Sequence, residues 1–193
     1  MTKWLSHRMV ERGIIKEEEQ ELYQFGIRNG MILFLNVVTA LVIGLLTEQL
    51  AVVAVFTLSF MVLRSYTGGY HSDSRIFCYL GSNLVLLVPV YTQAVFYKTS
   101  LAWLLAVLLV SAGIIFLLSP MHSKNRKLDK EEQKHFGRKA RLIAVLELAV
   151  LGILWHAGQI PYAYAVYTGI CITALFMIVG KAQLWIQSHT ENG

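Results

Sequence analysis

The sequence predicts an all-α, polytopic membrane protein: a bundle of six transmembrane helices with an N-terminal interfacial helix. Three observations carry this. The 193 residues are 55% hydrophobic and only 15% charged, with a mean hydropathy of +0.53. The charges are clustered between long apolar runs, leaving too little polar surface to cover a soluble core of this size. The runs lack the period-two alternation of an outer-membrane barrel, and a helix satisfies its own backbone groups in lipid where an open sheet does not.

Residues 1–30 are polar and mixed in charge, with no cleavable apolar core, so the first apolar run is expected to direct insertion. Trp4, Ile15, Leu22 and Phe25 fall roughly on one helical face, interrupted at Gly13, which suits an interfacial helix or a solvated arm. The apolar segments of the bundle, taken as 31–180, are Met31–Thr47, Leu50–Leu63, Phe77–Tyr97, Leu101–Ser119, Leu142–Gly158 and Tyr162–Gly180. Most are long enough for roughly 30 Å of hydrocarbon, whereas Leu50–Leu63 reaches only about 21 Å at the helical rise and leaves a re-entrant hairpin open.

Charge counting favours six crossings. With the N-terminus cytoplasmic, sixteen of the 17 Lys and Arg residues face inward and only Lys98 faces outward, as the positive-inside rule requires. A non-crossing second segment would move the eight basic residues of segment 120–141 outside. Both termini and residues 64–76 are therefore expected on the cytoplasmic side of a bacterial cell membrane. The net charge of +5 reads as topology and attraction to anionic lipid headgroups rather than nucleic-acid binding, for which no module is present. The chain reads as one membrane-embedded domain, 1–193.

The stretch GGYHSDSRIFC, residues 68–78, carries the candidate chemistry. Cys78 sits where the third span begins, and unpaired N–H groups and the helix dipole at a helix start favour a thiolate. His71, seven residues earlier, is placed to fold back as the base of a cysteine nucleophile. Gly68 and Gly69 give the turn its backbone freedom. Asp73 either orients the imidazole or caps the following helix, as Ser72 and Ser74 also can. Arg64 anchors the second span inward and is a candidate for holding a substrate carboxylate or a carbonyl. The same residues also admit a plainer reading, since a juxtamembrane cysteine is commonly inert packing or a lipidation site.

Elsewhere the signals are weaker. Cys78 and Cys171 are too far apart in sequence for a metal-type pair, His122 and His135 lack companion ligands, and no metal or organic cofactor is expected. Cys171 reads as buried packing. Glu147, the one formal charge inside an apolar segment, is expected to face the bundle.

The run RSYTGGYHSDSRIFC, Arg64 to Cys78, resembles the signature of the accessory gene regulator B family, whose pattern is an Arg, a Gly-Gly pair, a His, and a Cys seven residues beyond it. SPMHSKNRKL, Ser119–Leu128, is similar to the family's proline-to-asparagine segment after the fourth span, although Met121, His122 and Ser123 stand where many relatives have an acidic residue and a threonine. Length and the six-segment layout extend the resemblance over most of the chain. It implies a membrane cysteine endopeptidase of quorum sensing with a Cys78–His71 dyad. Such an enzyme removes the acidic C-terminal tail of a small autoinducing-peptide precursor and cyclises the product through a peptidyl thioester. The resemblance also implies a homodimer. A different class, a small transporter or scaffold without covalent chemistry, would leave His71 and Cys78 incidental.

Overall fold

The computed structural model describes residues 2–68, 75–121 and 130–190, with side chains described throughout these except at Thr2, Asn29, 75–78, Lys130, Glu132 and 187–190. The described residues form helices and no strand: α1 Thr2–Glu11, a 3-10 turn Glu17–Glu19, α2 Gln20–Leu46, α3 Leu50–Thr67, α4 Arg75–Tyr91, α5 Gln93–Lys98, α6 Leu101–Leu118, α7 Lys130–His156 and α8 Ile160–Thr190. The expected all-α membrane class is what the chain adopts.

The chain divides into two compact units, Met1–Thr39 and Ala40–Gly193. In the first, α1 closes on Gly13 at positive φ, and the N–H groups of Gly13 and Ile14 reach back to the carbonyls of Val10 and Met9. Arg8 lies over the Trp4 ring at 4.9 Å and His7 stands 3.5 Å from Glu11 one turn on. Trp4, Leu22 and Phe25 are exposed, whereas Ile15, the fourth residue of the expected apolar face, is buried.

In the second unit α8 is the central helix. Its neighbours are α3, α6 and α7 along its length and α4 and α5 near its start. The sequence explains the position of α8, whose residues Ala163, Ala165, Gly169 and Ala174 are small enough to bring neighbouring helices close. Two apolar clusters hold the unit. Val52, Val53, Phe56, Leu86, Phe96 and Tyr164 pack at one end, and Leu63, Ile115, Met121, Ala144, Ile170 and Met177 at the other. The hydroxyls of Thr92 and Tyr164 meet at 2.6 Å at the first end.

Three elements differ in extent from the apolar runs that predict them. The second segment continues as helix to Thr67, so α3 spans about 27 Å by its 18 residues and qualifies as a membrane span. The third is two helices. Pro89 lacks the N–H that would bond to the Val85 carbonyl, and α4 stops two residues later before α5 resumes. The fifth begins early, because α7 takes in the basic stretch from Lys130, rich in good helix formers.

Among the described residues, five helical stretches are long and apolar enough to cross a membrane by length and composition: 17–46, Leu50–Thr67, Tyr79–Lys98, Leu101–Leu118 and Ile160–Ile186. α7 is not among them, since even its most apolar stretch of that length, 139–156, carries Lys139, Arg141 and Glu147. It nevertheless runs the length of the bundle. Gly137 abuts Pro120 at the end where α3 and α6 finish, and Trp155 meets Phe96 at the opposite end, ring centroids 6.2 Å apart.

Candidate functional site

Of the residues singled out in the sequence, Arg64, Gly68 and the backbone of Cys78 lie at the end of the bundle where α3 and α6 finish and α4 and α7 begin. Arg64 points inward from the last turn of α3 and lies over the rings of Phe176, at 4.7 Å, and Phe60, at 5.8 Å. Such a cation over aromatic faces is held in an apolar wall. Gly68 caps α3, its N–H bonded to the Arg64 carbonyl at 3.3 Å. α4 begins at Arg75, so Cys78 is its fourth residue, in the first turn. Gly69, His71 and Asp73 lie outside the described residues.

The structure brings the two sequence motifs together. The Met121 N–H donates to the Thr67 carbonyl at 2.9 Å, tying the corner after α6 to the last residue of α3. Thr67 is fully buried, and Ser119 and Met121 are nearly so. The Ser119 hydroxyl lies 4.0 Å from the Met177 sulfur of α8. From α7, the Phe136 ring packs on Tyr66 and the Lys139 ammonium lies over the same tyrosine at 5.8 Å. The corner 119–121 is thus enclosed by α3, α7 and α8 at the point where the chain leaves for residues 69–74.

Two participants carry no signal as site residues in the sequence. Thr67 looks like an ordinary loop residue beside the glycines, and Gly137 stands in a charged helical stretch where a glycine has no obvious use. A glycine in a helix otherwise made of good formers is the one cue to a close approach.

Among the described residues no group of His, Cys, Asp and Glu is placed to hold a metal ion. Cys171 is half-buried in α8, beside a cavity of about 340 Å³ lined by Thr92, Phe96, Trp103, Tyr164 and Tyr167. That cavity belongs to the Phe96 end of the bundle.

Fold and site together define a multi-pass helical membrane protein whose two sequence motifs converge at one end of the bundle. The family model for accessory gene regulator B matches residues 1–179, and the chain belongs to that family. It is 26% identical over 156 residues to the accessory gene regulator protein B of Staphylococcus intermedius, covering 79% of this chain and 80% of that one. It is 22% identical over 148 residues to a putative AgrB-like protein of Clostridium perfringens strain SM101, covering 74% of this chain and 69% of that one. No solved structure matches the chain.

Proposed function

We propose that this protein is a membrane cysteine endopeptidase of quorum sensing, which removes the C-terminal tail of an autoinducing-peptide precursor and cyclises what remains. The observation that carries the reading is the family match over residues 1–179, which spans the Arg64–Cys78 motif with Cys78 in the first turn of α4.

In this mechanism His71 takes the Cys78 thiol proton and the thiolate attacks a peptide carbonyl of the precursor. The tetrahedral intermediate collapses, the C–N bond breaks, and the proton on His71 goes to the departing amine. The tail leaves and a peptidyl thioester stays on Cys78. An internal cysteine thiol or serine hydroxyl of the precursor then attacks the thioester carbonyl, giving up its proton to His71. The C–S bond breaks, and a thiolactone or lactone is released with the Cys78 thiolate restored. Water must be excluded for cyclisation to outrun hydrolysis, which favours a site at the membrane interface roofed by substrate. Asp73 orients His71 or caps α4, and Arg64 and the basic segment 120–141 attract an acidic tail. The site faces the cytoplasm, and two copies form a homodimer.

Coexpression with a precursor peptide, read by mass spectrometry, tests this. Wild type yields a cyclic product lighter than the precursor by the released tail peptide, one water lighter than the linear hydrolysis product, while Cys78→Ala and His71→Ala insert normally and yield none. Processing that survives in Cys78→Ala sinks the peptidase reading and favours a transporter or scaffold.

A further inference from the structure

We infer that the exposed face of α7 is a docking surface for one anionic phospholipid, whose phosphate is held by Lys134, Arg138 and Arg141 and whose chain lies along Leu142, Val145 and Ala149. Net charge by itself implies only a diffuse attraction to headgroups, and the fold gives that attraction a place. The inference stands apart from the peptidase reading.

α7 runs the length of the bundle with Gly137, Ala140 and Ala144 buried against its neighbours. Lys134, Arg138 and Arg141 are exposed and, at spacings of four and three, share one face. From 133 to 146 the chain carries four cations and no carboxylate. Lys139, the fourth, lies over the Tyr66 ring. Among the described residues none of the other three is in an ion pair. The same face then turns apolar without a break. Leu142, Val145, Ala149 and Ile153 follow and are exposed as well.

The lengths of the two zones match a lipid. From Lys134 to Arg141 the helix rises about 10 Å, and from Leu142 to Ile153 about 16 Å, close to half of the roughly 30 Å of hydrocarbon in a bilayer. A phosphate set at the level of Arg138 and Arg141 meets two guanidinium forks suited to its oxygens, and an acyl chain below it meets the apolar zone. An acidic peptide fits the cations but leaves the apolar zone uncovered. A second copy fits poorly, because copies in one membrane share an orientation. A symmetric contact through this face would set the three cations against their own counterparts. A zwitterionic lipid brings an ammonium into the same cluster, so the charge selects an anionic headgroup.

Full-length protein in non-ionic detergent, titrated with dioleoyl phosphatidylglycerol or dioleoyl phosphatidylcholine, tests this by native mass spectrometry, which counts bound lipids and copies together. Wild type should retain the first phosphatidylglycerol on the order of tenfold or more tightly than phosphatidylcholine. Higher salt should weaken that preference, a readout that needs no variant. Lys134→Gln, Arg138→Gln and Arg141→Gln together keep helix formers at exposed positions and should abolish it. Lys3→Gln, Arg12→Gln and Lys16→Gln together remove the same charge from exposed positions of the N-terminal unit and should leave it intact. Glycerol 3-phosphate, which has the phosphate but no chain, should not compete.

Equal retention of the two lipids by wild type overturns the inference, as does a salt-independent preference. Equal losses in the two triple variants reduce it to diffuse charge. Competition by glycerol 3-phosphate would leave an anion site without a lipid, and displacement by deca-glutamate would hand the surface to an acidic peptide. A dimer that becomes monomeric only in the α7 variant would hand it to a second copy.

Discussion

At the scale of the residue, backbone conformation separates positions that look alike in sequence. Gly68 and Glu48 both follow helices and both have positive φ, at 72° and 57°. Gly68 meets this without cost, while Glu48 holds a left-handed conformation that its Cβ opposes. Glu48 is nevertheless well placed in its turn: its N–H bonds to Leu45 O and that of Gln49 to Gly44 O, closing α2. Its side chain is exposed to solvent. Glu48→Gly should therefore stabilise the fold by about 0.5–1 kcal/mol. The readout is the thermal midpoint in detergent, expected to rise by a few degrees; a fall would mean the carboxylate has a compensating role. Arg64 at the end of α3 and the start of a helix just before Cys78 were legible beside the apolar runs, whereas His71 lies outside the described residues. Conformation at Glu48 and contact at Gly137 were not, because each depends on what the fold brings near.

At the scale of the element, the crossing of α3 over α8 shows how one position sets a helix spacing. A Cβ added to Gly169 would lie 2.5 Å from the Ser59 hydroxyl and 3.4 Å from the Phe60 nitrogen. The same hydroxyl donates to Glu147 of α7 at 2.7 Å, so the glycine seats a three-helix node around a half-buried carboxyl. Gly169→Ala must push α3 outward or turn Ser59 off its partner, and either should cost about 1–3 kcal/mol. Ser59→Ala in the same protein should recover part of that loss. Reversible unfolding in mixed micelles measures both, and an additive double variant would show that the two residues do not collide. The apolar runs located these helices because lipid selects continuous hydrophobicity. Their ends went astray where another rule governs: Pro89 broke a uniform apolar run, and helix-forming Lys, Glu, Gln and Arg extended α7 beyond one.

At the scale of the whole molecule, the question is how many times the chain crosses and which end faces the cytoplasm. Among the described residues composition alone qualifies five helical stretches, and α7 fails because of Lys139, Arg141 and Glu147. Geometry argues for a sixth crossing. α7 reaches from Pro120 to Phe96, ends covered also by α3, α6 and α8, and the Gly158 turn reverses it directly into α8. Its charges do not forbid this, because Glu147 turns to Ser59 inside the bundle and Arg141 is close enough to the helix start to snorkel. Lys98 closes α5 at the Phe96 end, away from the motif end that carries Arg64 and Lys139. Such segregation along the bundle is what the proposed cytoplasmic orientation of the motif end requires. Single cysteines introduced at Thr99, Ala157 and Lys139, in protein otherwise lacking cysteine, decide it. A membrane-impermeant maleimide added to intact cells should label the first two and spare the third until the membrane is opened. Protection of Ala157 together with labelling of Thr99 would mean that α7 does not cross. Labelling of Lys139 in intact cells would turn the motif end outward, and a cytoplasmic precursor would then have no route to Cys78.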